Sequence, residues 1–332
     1  MSLPLCEFQV LRPLNVEAAV AARRDQRMSR FLAGGTDLVV NLRRGLGTPT
    51  LLIDLNGIAE LGGFSCSEKG ARIGAGTTLV MLGAHAGLRE RYAAVSEAAG
   101  AIAGPAHRNI ATVGGNLCLD TRCIYYNQSD WWRHTNRYCL KYRGEVCHVA
   151  PQGQRCHAAF SGDLAPALMV LGAEVEIAGT SGRRRTPLAD LYADDGRAHL
   201  RLSDDELVIA VHLPPSTARS AYAKSRVRGA MDFPLAGVAV ALGTDGGRIS
   251  ALRVALTGTN PRPFLLDGTD ALIGAPIEEP TVQKLEKLVQ KQVQPMRTTL
   301  ASSNYRRLAA AALVRRLVRT LALPDPPSGE CS

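Results

Sequence analysis

Four cysteines, Cys123, Cys139, Cys147 and Cys156, stand within 36 residues between Arg122 and His157. The same stretch holds three of the seven histidines, both tryptophans, and six Lys/Arg against two acids. Clustered thiols in a reducing compartment point to a metal or to catalysis rather than to disulfides. Four thiolates suit zinc or an iron–sulfur cluster. The spacing, C-x15-C-x7-C-x8-C, has no C-x2-C knuckle and misses the common ferredoxin runs. Spacing alone therefore leaves the metal open. Cys118 ranks fifth as a ligand, and a Cys₃His site using His134, His148 or His157 competes with four thiolates. Cys6, Cys66 and Cys331 stand isolated.

Glycine carries a second kind of chemistry. Ala33, Gly34, Gly35, Thr36 and Asp37 follow a short apolar run and precede a helical pattern. At such a turn, successive backbone N–H groups can hold an anion, and phosphate can approach a chain without Cβ atoms. Ala111, Thr112, Gly114, Gly115 and Asn116 repeat the chemistry: a hydroxyl, two glycines and an amide. Two such turns in different units imply a dinucleotide between them. Neither is the G-x-G-x-x-G fingerprint of a Rossmann domain. A third turn, Gly74-Ala-Gly-Thr-Thr78, adds Gly76 and Thr77 to the same site.

These turns and thiols need a large body to position them. The chain has 332 residues, 46% hydrophobic and 21% charged, which excludes a disordered chain and provides for two or three domains. Apolar runs break well short of about 18 residues, so no membrane span is expected. The start lacks the basic segment and apolar core of a leader, so the chain is read as cytoplasmic. Residues 1–57 read as a β-α-β-turn-α-β unit, with a helix over Asn15–Arg27 capped by Asn15. Residues 58–217 form a second unit, with a helix over Thr78–Leu88, a helix at Asp163–Leu171 capped by Asp163, and strands at Ala71–Gly74, Glu174–Ala178 and Glu206–Leu213. Residues 218–332 form a third. In it Asp245-Gly246-Gly247 marks a hairpin, and Val282–Gln292 and Ser303–Leu321 are helices. The last helix shows Arg on one face and Leu/Val on the other, before a Pro324-Asp-Pro-Pro-Ser-Gly tail.

Gly34-Gly35-Thr36-Asp37 with Thr112-Val-Gly-Gly-Asn116 resembles the FAD-binding subunits of the molybdenum hydroxylases, the group of the xanthine and carbon monoxide dehydrogenases. Ile73-Gly-Ala-Gly-Thr-Thr78, Asp163-Leu-Ala-Pro-Ala-Leu168, and Lys224 with Asp232-Phe-Pro234 keep that family's order along nearly the whole chain. The resemblance implies an α+β protein: a two-lobed vanillyl-alcohol-oxidase-type FAD-binding fold plus a C-terminal α/β domain of the CO dehydrogenase flavoprotein type. It places the FAD pyrophosphate at the two glycine turns, a ribose or ribityl hydroxyl at Asp163, and Lys224 near the flavin ring. For Lys224 a solvated strand position competes with that role.

Between Asn116 and Asp163 this chain carries about 40 residues that ordinary members lack, at about 119–158. That insertion is similar to the one in the 4-hydroxybenzoyl-CoA reductase branch. The match includes Tyr-Tyr-Asn-Gln-Ser, Trp-Trp-Arg and Cys-Leu-Lys-Tyr-Arg-Gly. The resemblance implies a [4Fe–4S] cluster on Cys123, Cys139, Cys147 and Cys156. Arg122, Arg133, Arg137, Lys141, Arg143 and Arg155 would compensate its charge, and Trp131 and Trp132 would shield it. It further implies a molybdenum-cofactor subunit and a small two-[2Fe–2S] subunit as partners, in a dimer of heterotrimers, with ferredoxin as donor. Two alternatives compete: the FAD subunit of an oxidising molybdenum hydroxylase, and a Cys₄ zinc protein binding nucleic acid through the net charge of +9. Against the second, the basic residues outside the insertion are scattered, and the glycine turns would lack a purpose.

Overall fold

The computed structural model describes residues 5–297 and 301–323. The Pro324–Gly329 tail and Cys331 lie outside the described residues. The N-terminal unit is a three-stranded parallel sheet with Leu51–Asp54 between Gln9–Leu11 and Ser29–Leu32. Helix Val16–Asp25 starts where the Asn15 side chain accepts the Ala18 N–H at 2.8 Å. Its Val16, Ala19 and Val20 pack with Ile53 and Leu55 of the sheet side and with Leu207 and Ile209 of the next unit. The two units thus share one apolar seam.

The second unit is a five-stranded antiparallel sheet: Phe64–Ser67, Gly70–Gly74, Leu207–Leu213, Glu174–Gly179 and Gly182–Pro187. The two outermost strands carry Ser-Cys-Ser and Arg-Arg-Arg-Thr, polar sequences that suit exposed edges and give little apolar alternation to read. The single helix expected over Thr78–Leu88 is two, Leu79–Ala84 and Ala86–Arg91. His85 breaks it by turning extended, and its ring nitrogen accepts the Leu88 N–H. Helix Leu164–Val170 is buried at every position.

The C-terminal unit is a four-stranded antiparallel sheet covered by helices Glu279–Gln292 and Ser303–Ala322. Its hairpin Ala236–Asp245/Arg248–Thr257 turns on Gly246 and Gly247, at φ 54° and 77°, where glycine avoids the Cβ penalty. Arg306 departs from the expected exposed Arg face. It is buried, and its guanidinium donates to the carbonyls of Leu235 (2.9 Å), Met296 (2.6 Å) and Gly258. No helix among the described residues is long and apolar enough to cross a membrane.

Candidate functional site

A cleft of about 1310 Å³ is lined by all three units. Twelve of the fourteen expected flavin-site residues line it: Ala33 to Asp37, Gly76, Ala111, Thr112, Gly114 to Asn116, and Asp163. The two glycine turns meet there. A Cβ on Gly34 would stand 1.9 Å from the Ile110 carbonyl oxygen, so the two backbones touch. Gly35 sits at φ +69°, in the left-handed region.

The turns differ in what they offer. At the first, the N–H groups of Gly34, Gly35 and Thr36 make no backbone hydrogen bond among the described residues. The second is instead the start of a short helix, Val113–Leu117. The Gly114 N–H goes to Ala75 O (2.8 Å), Gly115 N–H to Thr112 Oγ1 (3.1 Å), and Asn116 N–H to Thr112 O (3.0 Å). Free successive amides therefore occur at the first turn only. The second supplies close approach: a Cβ on Gly114 would meet the Ala75 Cβ at 2.9 Å.

Thr77 and Lys224 do not line the cleft. Thr77 is buried, its hydroxyl donating to Gly63 O (3.3 Å) and its carbonyl accepting the Val113 N–H (3.0 Å). Lys224 is neither solvated nor at the cleft surface. Its side chain is buried, with Nζ 3.0 Å from Asp163 Oδ1 and 3.1 Å from Asp232 O. Asp163 does not cap its helix with its side chain. It accepts instead from the Tyr222 hydroxyl at 2.5 Å, and the Asn116 side chain takes over the cap by accepting the Leu164 N–H at 3.2 Å. Burial pushes the Asp163 carboxyl up, and the Lys224 charge and the Tyr222 hydroxyl offset part of that. Burying a carboxylate without a cation costs more than any helix cap supplies, which explains the exchange of roles.

The insertion is fastened to the first turn through Asp37. That carboxylate pairs with Arg122 and accepts the Asp120 N–H at 3.2 Å. Within the insertion only Asp130–Thr135 is helical. Turns set by side chains do the rest. Asn127 Oδ1 accepts the Cys123 N–H (2.9 Å), and Arg137, Tyr138 and Arg143 hold φ of 58°, 56° and 60° on either side of Cys139. Such left-handed non-glycine residues cost about 1–2 kcal/mol each and persist where the surroundings hold them in place.

The four cysteines line one small cavity, together with Tyr125, Tyr126, Lys141 and His148. Cys139, Cys147 and Cys156 are buried; Cys123 is half-buried. Burial pushes the Cys123 thiol up to about 12, and the other three thiols add to the shift. Cys156 is pushed up to about 11 by burial, against the Ala158 N–H donated to its sulfur (3.4 Å) and the Lys141 charge. Among the described residues, no three His, Cys, Asp or Glu side chains are gathered to hold a metal ion. Cys118 lines the cleft and not the thiol cavity; burial alone raises it to about 12. His148 is the only one of the three nearby histidines on the thiol cavity, and its ring nitrogen meets Tyr138 O.

Two expected roles are corrected. Arg133 is not free to balance the thiols. It is buried and donates to the carbonyls of Gln128, Arg44 (2.8 Å) and Gly45 (3.4 Å), stitching the insertion to the helix after the first turn. Arg122 is likewise bound to Asp37, and Arg155 to Asp194 at 2.8 Å. Trp131 is 74% exposed and shields nothing. Trp132 does pack inward, 6.2 Å from the Tyr125 ring.

No motif or spacing points to His199, which lines the cleft beside the insertion. Its Nε2 meets Leu119 O at 2.9 Å. Burial lowers it to about 4, against an ordinary value near 6.5. The fold thus accepts the neutral ring. Stability is complete above about 6.5 and falls as pH drops toward 4, by up to about 3 kcal/mol. In urea melts, the wild type should lose more stability across that window than His199→Gln, whose amide keeps the bond to Leu119. Equal losses would remove His199 as the source.

Residues 6–216 match the family model described as the FAD binding domain in molybdopterin dehydrogenase, and residues 220–321 match the CO dehydrogenase flavoprotein C-terminal domain. The chain is 36% identical over 266 residues to the aldehyde oxidoreductase FAD-binding subunit PaoB of Escherichia coli K12, covering 77% of this chain and 82% of that one. It is 26% identical to the carbon monoxide dehydrogenase medium chain of Afipia carboxidovorans, over 94% and 95% of the two chains. Among solved structures, reconstituted CO dehydrogenase from Oligotropha carboxidovorans superposes with a TM-score of 0.80 at 24% identity, over 96% of this chain and 99% of that one. The expected α+β fold, a two-lobed FAD-binding body followed by a CO dehydrogenase-type C-terminal domain, is present. This chain belongs to the FAD-binding-subunit family of the molybdenum hydroxylases, the family of the xanthine dehydrogenase FAD-binding subunits and the CO dehydrogenase medium chains.

Proposed function

We propose that this chain is a flavin and [4Fe–4S] electron-transfer subunit. The observation that carries the reading is the shared wall: Cys123, Tyr126 and Lys141 line both the cleft and the thiol cavity. FAD would supply exchange of one or two electrons, and a [4Fe–4S] cluster exchange of one. The Gly34–Thr36 amides bind the pyrophosphate, and Gly114 and Gly76 keep the walls thin enough for it. Asp163 meets a flavin hydroxyl, and Lys224 acts on the cleft through Asp163 rather than by contact. Cys123, Cys139, Cys147 and Cys156 ligate the cluster. A [4Fe–4S] cluster gives each thiolate its own iron, so it asks less crowding of the sulfurs than a lone zinc at about 2.3 Å from each. Units 1–57, 58–217 and 218–332 act as two flavin lobes and a C-terminal domain.

The insertion's likeness to the 4-hydroxybenzoyl-CoA reductase branch supports the reductive direction. Electrons enter from ferredoxin at the thiols and pass through the cleft. They would then pass to the [2Fe–2S] clusters of a small subunit and on to a molybdenum subunit, where two electrons and two protons would replace the phenolic hydroxyl of 4-hydroxybenzoyl-CoA by hydrogen and release water. A dimer of heterotrimers in the cytoplasm fits this reading, and no nucleic acid or membrane takes part. The 36% identity to an aldehyde oxidoreductase subunit favours a second reading: the same cofactors run outward from an oxidised substrate. The complex purified with its partner subunits decides. Reduced ferredoxin with 4-hydroxybenzoyl-CoA should yield benzoyl-CoA. Aldehyde oxidation without any dehydroxylation would reverse the direction and leave the cofactors in place.

A further inference from the structure

The wall between the cleft and the thiol cavity is thin and unusually well tied. Tyr126 is buried at its centre, 8% exposed. The turn that presents Cys123 also presents Tyr126, whose N–H donates to Cys123 O at 3.1 Å. Lys141 Nζ lies 4.3 Å from the centre of the Tyr126 ring. That ammonium donates to Asp120 Oδ1 (2.6 Å), Thr121 O (3.3 Å) and Thr121 Oγ1. Burial and the nearby Asp120 carboxylate both push the pKa of the Tyr126 hydroxyl up. One carboxylate thus holds Lys141 in place, and Lys141 in turn sits over the Tyr126 ring. The Tyr142 ring packs beside it, 6.5 Å from that of Tyr126.

We propose that Tyr126, with Lys141 on its ring, is the bridge for electrons between the flavin cleft and the thiol-bound cluster. The proposal rests on the cofactor reading above. At each crossing one electron leaves the reduced cluster and one enters the oxidised flavin; no bond in this chain forms or breaks. Tyr126 ends as it began, protonated and neutral. The reductant that refills the cluster is a low-potential one-electron carrier. Packed side-chain matter couples donor and acceptor better than a void or water does, and an aromatic ring spans this wall in one piece. Removing the ring strips contact atoms from the path itself. The Lys141 charge, shared by both cavities, favours an added electron on either side.

The test uses the assembled complex and limiting dithionite. Iron and FAD are counted first, and the cluster-to-flavin step is then followed by stopped-flow absorbance and freeze-quenched EPR. Tyr126→Ala should keep both cofactors and slow that step about tenfold. Tyr126→Phe, which keeps the ring and loses the hydroxyl, should run at the wild-type rate; a purely structural role for the hydroxyl would not produce that split. A wild-type rate in Tyr126→Ala overturns the bridge. If Tyr126→Ala loses iron, Lys141→Met decides: both reduction potentials should fall in an equilibrium redox titration, and unchanged potentials overturn the proposal. Wild-type complex without iron defeats the cluster reading itself, and this is seen before any variant is made.

Discussion

Cys139→Ser should strip the iron and leave the flavin. The wild-type chain is expected to carry about four irons, and the variant close to none, with FAD per chain unchanged. Cys139 is held by its own turn. It is buried, its carbonyl accepts the Gly144 N–H at 3.1 Å, and a Cβ on Gly144 would crowd its N at 2.8 Å. The turn cannot swing another ligand into place. Serine keeps the size but offers a hard oxygen that holds its proton, a poor exchange for a soft thiolate. Cys139 does not line the cleft, and the glycine turns lie outside the insertion, so flavin binding should survive. Iron, acid-labile sulfide and FAD measured on the purified variant give the answer. Full iron would remove Cys139 from the ligand set, and stoichiometric zinc in the wild type would replace the cluster altogether.

The thiols give the same site a pH signature. Cys123 at about 12 and Cys156 at about 11 are protonated at neutral pH without a metal. Assembly of the proposed cluster on them would therefore displace protons, and metal affinity should weaken as pH falls. A site that binds only as thiolate and is buried enough to resist forming one depends on the metal to close it.

What could be read along the chain was what local spacing fixes. The glycine turns, the thiol pattern and the Asp245-Gly-Gly hairpin are each a few residues long, and each is decided by backbone freedom or ligand chemistry. What could not be read was exchange between distant groups. Asp163 stands where a helix cap belongs, and nothing nearby in sequence shows that Lys224 and Tyr222 will claim it while Asn116 takes the cap. The basic residues of the insertion look alike in sequence. Only folding separates Arg133, consumed by four carbonyls, from Lys141 at the wall. Edge strands Phe64–Ser67 and Gly182–Pro187 carry polar residues because they are edges, so the signal that would announce them is the one their position removes. Tyr126 was hidden for a similar reason: a tyrosine three residues after a clustered cysteine is an ordinary core residue until it is seen to line two cavities.

Gly34→Ala tests the other cofactor. The added Cβ would lie 1.9 Å from Ile110 O and 2.6 Å from Ile110 C. Both are backbone atoms, and Ile110 is held from both sides, its N–H on His107 O and the next residue's N–H on the same carbonyl. Neither turn can yield alone, so the two must part. Overpacking of this kind costs about 1–3 kcal/mol in stability. The larger effect is expected on FAD, because the proposed pyrophosphate site lies where the two turns meet. The neighbouring glycine provides the control. Gly35 is required by its φ of +69°, and its Cβ would meet only side-chain carbons at 3.2 and 3.3 Å. Gly35→Ala should cost about 1–2 kcal/mol for the left-handed backbone while leaving the turns together. The expected result is that Gly34→Ala emerges from gel filtration without flavin, with its iron retained, while Gly35→Ala melts earlier and stays yellow. A folded Gly34→Ala protein with wild-type FAD affinity would mean that the meeting point of the two turns is not where the pyrophosphate binds.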